Sequence, residues 1–82
     1  MNDVVIILCD LCLEPIYRCA CLPLDLDATE APEVVWVASR PLTQSSKITH
    51  GWKFRYKRAV EEVYRLNKRN AGKVQHFLLP VD

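Results

Sequence analysis

Four cysteines lie near the N-terminus, as Cys9-Asp10-Leu11-Cys12 and Cys19-Ala20-Cys21. Four thiolates are the donor set of a tetrahedral zinc site. A turn near Glu14-Pro15 would set Cys12 opposite Cys19 and Cys9 near Cys21. Two features oppose that reading. In a regular strand, residues three apart point to opposite faces, so Cys9 and Cys12 converge only if the chain turns between them. Only six residues separate Cys12 from Cys19, which is tight for two metal-binding knuckles. A CxxC can also be a redox pair, but no helix starts at its first cysteine to lower the pKa of that thiol. No signal peptide is evident, so a reducing, cytoplasmic compartment is expected and disulfides are not. The pattern favours ordinary packed thiols. A zinc-stabilised domain, with Cys9, Cys12, Cys19 and Cys21 as ligands, is the third functional reading; otherwise no cofactor is expected.

The second chemical feature is charge. Residues 1–43 carry two cations against seven carboxylates, and residues 44–82 carry nine cations against three, so a formal net charge of +1 hides an acidic half and a basic half. Between Trp52 and Asn70 stand Lys53, Arg55, Lys57, Arg58, Arg65, Lys68 and Arg69, against only Glu61 and Glu62. On a helical wheel Lys57, Arg58, Arg65 and Lys68 fan out opposite an apolar stripe, with Phe54 among them on the solvent side. An aromatic ring among cations suits docking on an acidic protein surface. The same helix, 52–70, could track nucleic-acid phosphates. The plain alternative is a solvated face with Glu61–Arg65 as an i,i+4 pair. No helix-turn-helix, RNP-like or zinc-finger spacing supports nucleic acid.

Catalytic patterns are not evident. His50 and His76 have no motif-placed nucleophile beside them, and Gly51 and Gly72 are the only glycines, too few for a phosphate-binding loop. Asp25 and Asp27 read as a solvated loop. The chain is therefore expected not to be an enzyme.

The elements that hold these residues follow from periodicity. Val4–Cys9 is a β-branched run, apolar on both faces; Ile16–Leu22 reads as a second strand and Val34–Ala38 as a third. Ile48, Trp52, Tyr56, Ala59, Val60, Val63 and Leu66 share one helical face, which predicts a long helix over 46–70, capped by Ser45 or Ser46 and ended by Asn70-Ala71-Gly72. The alternation of Trp52, Phe54 and Tyr56 with Lys53, Arg55 and Lys57 fits a strand instead, with a helix from Lys57, but the continuous stripe favours the long helix. Val74–Leu79 is the last strand. The expected fold is a single α+β domain over 1–82, β-β-β-α-β, with a small mainly antiparallel sheet and one amphipathic helix on one face.

One helix covers one face of a sheet, and the first and third strands are apolar on both. The second face then needs a cover: the chain's own loops, a homodimer through the sheet, or a foreign protein. No segment reads as a membrane span. Together these features predict a small protein-binding module that docks on a larger protein or complex with an acidic surface, through the basic helix face, the second sheet face, or both. By analogy of class alone, such modules resemble phage or mobile-element inhibitors of a host or defence complex, acting in the host cytoplasm. A nucleic-acid-binding domain is the runner-up.

Overall fold

The structure, a computed structural model, describes residues 5–44 and 47–81. It is an α+β domain with one open antiparallel sheet and one helix. The strands are β1 (Val34–Pro41), β2 (Thr49–Arg55) and β3 (Val74–Pro80), in the order β2-β1-β3, and α1 (Tyr56–Arg69) joins β2 to β3. Among the described residues, no helix is long and apolar enough to cross a membrane.

The run Val34-Val35-Trp36-Val37-Ala38, apolar on both sides, becomes the central strand, where both faces are occupied. One face of β1 meets α1: Val35 and Val37 cluster with Leu78, Ala59 and Val63, and the half-buried Tyr56, Val60 and Leu66 complete the helical stripe. The opposite face carries Ala38, packed with Phe77 and Cys12. The expected C-terminal signal operates as read. Helix α1 ends at Arg69, Asn70 donates from Nδ2 to the Leu66 carbonyl at 3.0 Å, and Gly72 takes φ 82° in the following turn.

Three expectations about element placement are corrected. Residues 49–55 form a strand, and the helix begins at Tyr56 with no intervening loop. Pairing with β1 decides this, with Phe54 opposite Val35 and Trp52 opposite Val37. The register slips at Val37/Ala38, and Gly51 fits that bulge because a Cβ there would lie 2.6 Å from the Val37 carbonyl oxygen. Ile48 and Trp52 matched the helical stripe by coincidence: Ile48 packs on the opposite side of the sheet, and Trp52 is 78% exposed.

Among the described residues the expected first strand makes one isolated bridge, Leu8 to Pro15, with the Ile16 N–H donated to the Ile7 carbonyl at 3.0 Å and the Cys9 N–H to the Glu14 carbonyl at 2.8 Å. Its first residue, Val4, lies outside the described residues, as do the expected helix caps Ser45 and Ser46. The expected second strand, 16–22, opens instead as a 3-10 turn, Ile16–Arg18, held by the Arg18 N–H donated to the Pro15 carbonyl at 2.8 Å and the Cys19 N–H to the Ile16 carbonyl at 3.2 Å. Beyond it Leu22 donates its N–H to the Leu78 carbonyl at 2.9 Å, so the chain passes the outer edge of β3. Leu22 and Leu24 then join the cluster on the helix side.

The Ala38–Arg40 end of the second sheet face is therefore sheltered from within the chain. Cys12 packs on Ala38 and Phe77, with Cys9, Leu11, Cys19 and Cys21 around it. At the other end of the same face Trp36 is half-buried and Val34 is 37% exposed, and the N-terminal run is more exposed still, with Val5, Ile6 and Ile7 at 82%, 55% and 64%.

Candidate metal centre

The N-terminal segment reverses between Cys9 and Cys12, which is the turn the sequence pattern did not foresee. Cys9 donates its N–H to the Glu14 carbonyl at 2.8 Å, and Leu13 donates to the Cys9 carbonyl at 2.9 Å. Leu13 sits at φ 60°, the left-handed region, which costs a leucine about 1–2 kcal/mol. That conformation, on the residue after Cys12, folds the chain back so that both thiols face one point. On the far side the 3-10 turn delivers Cys19 in extended conformation, φ −68° and ψ 128°. Cys19 and Cys21, two apart on extended chain, project to the same side.

The result is that the Sγ atoms of Cys9, Cys12, Cys19 and Cys21 all lie within 4.8 Å of one another. Zinc–thiolate bonds of ~2.3 Å in a tetrahedron place sulfurs about 3.8 Å apart, so the group needs little contraction to hold one ion. Two backbone N–H groups already point at sulfur: Leu11 to Cys9 Sγ and Cys21 to Cys19 Sγ, each at 3.4 Å. The Gln75 side chain donates to the Asp10 carbonyl at 2.8 Å and fastens the first turn to β3. All four cysteines are free thiols.

The electrostatics of the group are uneven. Burial raises the Cys9 thiol, but hydrogen bonds from the Cys12 and Leu11 backbone and from the Cys19 and Cys12 thiols outweigh it, bringing its pKa down to about 7. Burial pushes Cys12 up. Burial also pushes Cys21 far up, reinforced by Cys12 and Cys19 beside it. Like charges this close cannot all ionise without a cation among them. A divalent ion supplies that cation, and its binding displaces the remaining protons.

Arg40 adds a further observation. It is fully buried, and its Nε, Nη1 and Nη2 have no hydrogen-bond partner among the described residues. It alternates with Ala38 along β1, and so shares the face on which Cys12 packs. Its strand neighbour is Gln75, the residue tied to Asp10. A buried guanidinium needs negative charge nearby. A zinc tetrathiolate, with net charge −2, would be such a group.

Of the residues expected on a basic docking face, Lys57, Arg58, Arg65 and Lys68 lie on α1, and Phe54 lies on β2, half-buried against the helix-side core and lining one cleft with Arg65. Arg58 and Arg65 both pair with Glu62, at 3.5 and 2.6 Å. The hydrogen bond from Arg65 holds the Glu62 carboxyl below its usual range. The expected pair of Glu61 with Arg65 is replaced by Glu62 with Arg65. Lys57 and Lys68 are exposed on one helical stripe. The sequence reading missed Arg40 and Gln75; the available signal was a lone cation at the end of an otherwise apolar central strand.

The chain matches no protein-family model, no curated protein and no solved structure with which it was compared.

Proposed function

We propose that the chain is a small zinc-binding domain in which Cys9, Cys12, Cys19 and Cys21 hold one Zn²⁺ in a closed structural site. The observation that carries this reading is the convergence of four sulfurs within 4.8 Å from two separate turns. The donor set fits zinc by softness and number. Four protein ligands leave no open position for water or substrate, so the role is structural and not catalytic. The ion ties the two cysteine turns of residues 9–21 to each other, Cys12 and the Gln75–Asp10 hydrogen bond hold that unit on the second sheet face, and the net negative charge of the tetrathiolate would offset the buried Arg40. The direct test is elemental analysis of protein purified without added metal, with thiol titration before and after chelation. One zinc per chain, and four thiols that react only after chelation, supports the site. Metal-free protein with four reactive thiols, or with two disulfides by mass, rejects it.

A second reading, a protein-docking module, is favoured by one observation. Val5, Ile6, Ile7, Ile16 and Tyr17 line an open apolar groove at the tip of the N-terminal segment. Such patches are interaction surfaces in soluble domains. The groove is a candidate docking face beside the one expected on the helix. If the occupant is a second copy, Ile7→Asp abolishes a dimer seen by light scattering; a wild-type chain that is monomeric at high concentration rejects self-association.

A further inference from the structure

On the side of the sheet away from the cysteines, α1 does not cover the whole surface. A cleft of about 310 Å³ remains between the helix and the three strands. Its residues come from every element: Ser39 from β1, Trp52 and Phe54 from β2, Arg65 and Leu66 from α1, and His76 from β3.

The chemistry of these residues is mixed in a specific way. Trp52 is 78% exposed, an indole ring left in water at the mouth of an otherwise partly built site. Phe54 and Leu66 are apolar. His76 carries a buried Nδ1 with no hydrogen-bond partner among the described residues. Burial lowers its pKa, so the ring is neutral at pH 7. Its backbone, by contrast, is fully engaged: Asn67 accepts the His76 N–H at 2.6 Å and donates to the His76 carbonyl at 3.0 Å, which locks the ring's position against α1. Arg65 is likewise held in place, by Glu62 at 2.6 Å.

A purely apolar guest would leave the His76 nitrogen unpaired, and a bare anion would make no use of Trp52 or Phe54. A flat heterocycle with polar edges and an attached negative group uses all of them, the negative group sharing Arg65 with the Glu62 carboxylate that also lines the cleft. We propose that this cleft receives one unpaired base of a single-stranded nucleic acid. The base stacks on Trp52, with its edge toward His76 and Ser39, and the adjoining phosphate lies at Arg65. Further phosphates follow the exposed Lys68 and Arg69 on the same helix. A base inside a duplex cannot enter such a cleft, so single strands are selected over paired ones. The volume is at the lower end for small-ligand sites and excludes a partner's helix or strand. The inference goes beyond the zinc site and uses the opposite face of the sheet.

The test is a titration of zinc-loaded protein, its metal content measured first, with a ten-nucleotide oligo-uridine, an oligo-thymidine of the same length and a duplex of that length. Affinity is read at low salt from the fluorescence anisotropy of end-labelled strands, a signal that does not depend on Trp52, and tryptophan quenching is recorded for the wild type. Binding of the single strands with quenching in the wild type, and affinity weakened at least about tenfold in Trp52→Ala and in His76→Gln, supports the cleft. Because Trp52 is exposed, the Trp52→Ala variant should keep the wild-type circular dichroism and melting point, and Trp52→Phe should recover part of the binding. Three outcomes overturn the proposal: no binding of either single strand at low salt, binding undiminished in Trp52→Ala, or duplex binding as tight as single-strand binding. The last would assign affinity to the helix cations alone. Capture of an aromatic-containing peptide with no response to oligonucleotides would assign the cleft to a protein side chain and would likewise overturn it. Zinc content is read separately, so a missing metal site and a missing base site give different results.

Discussion

Removing the metal should release the segment that carries it. The thirteen residues from Cys9 to Cys21 contain no strand of the sheet and one 3-10 turn. Ordering their backbone costs roughly 13–26 kcal/mol, at ~1–2 kcal/mol per residue. Their apolar return is small. Cys12 is the one fully buried side chain among them, and Leu11, Cys9, Cys19 and Cys21 are half-buried, which together contribute about 5–8 kcal/mol. At the middle of these ranges the deficit is about 13 kcal/mol, and structural zinc in small cysteine sites supplies ~10–16 kcal/mol. The left-handed Leu13 adds to the demand. The assay is limited trypsin digestion with mass spectrometry, because Arg18 lies exposed between the two cysteine pairs. Zinc-loaded protein should resist cleavage after Arg18. Chelated protein, or Cys12→Ser, should be cut there first, with amide exchange across 9–21 rising toward the unfolded rate. Helix α1 and the Val35, Val37, Val63 and Leu78 cluster should retain part of their protection. Equal resistance at Arg18 with and without chelator would show that packing alone orders the segment, and the reasoning would fail.

Other consequences are equally direct. Gly51→Ala places a Cβ 2.6 Å from the Val37 carbonyl oxygen, a backbone atom that cannot easily yield, and should destabilise the domain by about 1–3 kcal/mol in urea unfolding. Arg40→Met removes a buried cation, and should stabilise the metal-free chain while weakening zinc retention in competition with a chelator; unchanged retention would separate Arg40 from the metal site. Burial lowers the His76 pKa from 6.5, so the unfolded chain takes this proton more readily than the folded one. Its contribution to stability is full above about pH 6.5 and declines as pH falls toward the lowered value; His76→Gln should flatten that decline in urea midpoints measured from about pH 8 to 5. Tyr56→Phe deletes the hydroxyl that donates to the Pro23 carbonyl at 2.7 Å and accepts from the Leu26 N–H at 2.8 Å. It should cost about 1 kcal/mol and speed amide exchange in 22–26.

What local pattern could settle, it settled. Val34–Ala38 is apolar on both faces, so it had to be a strand with cover on each side, and it is the centre of the sheet. The spacing of Ala59, Val63 and Leu66 determines which face of α1 is buried, and Asn70-Ala71-Gly72 determines where that helix stops. Val74–Leu79 reads as β3 for the same reason. In each case the information lies within a few residues of the element it specifies.

Tertiary structure decided the rest. Residues 49–55 satisfied both a helical and an alternating pattern, and the open edge of β1, which needed hydrogen-bond partners, made them β2. The run at 5–8 has the composition of a strand, yet it joins no sheet strand: the chain reverses at 9–13 and pairs it locally with Pro15 and Ile16, while Leu22 takes a place on the outer edge of β3. Whether four cysteines form a cluster depends on two turns, one of them built on a left-handed leucine that no propensity would place there. Spacing alone could rule the site neither in nor out: the faces on which thiols emerge depend on where the chain reverses, and that is set by contacts with Ala38, Phe77 and Gln75, remote in sequence.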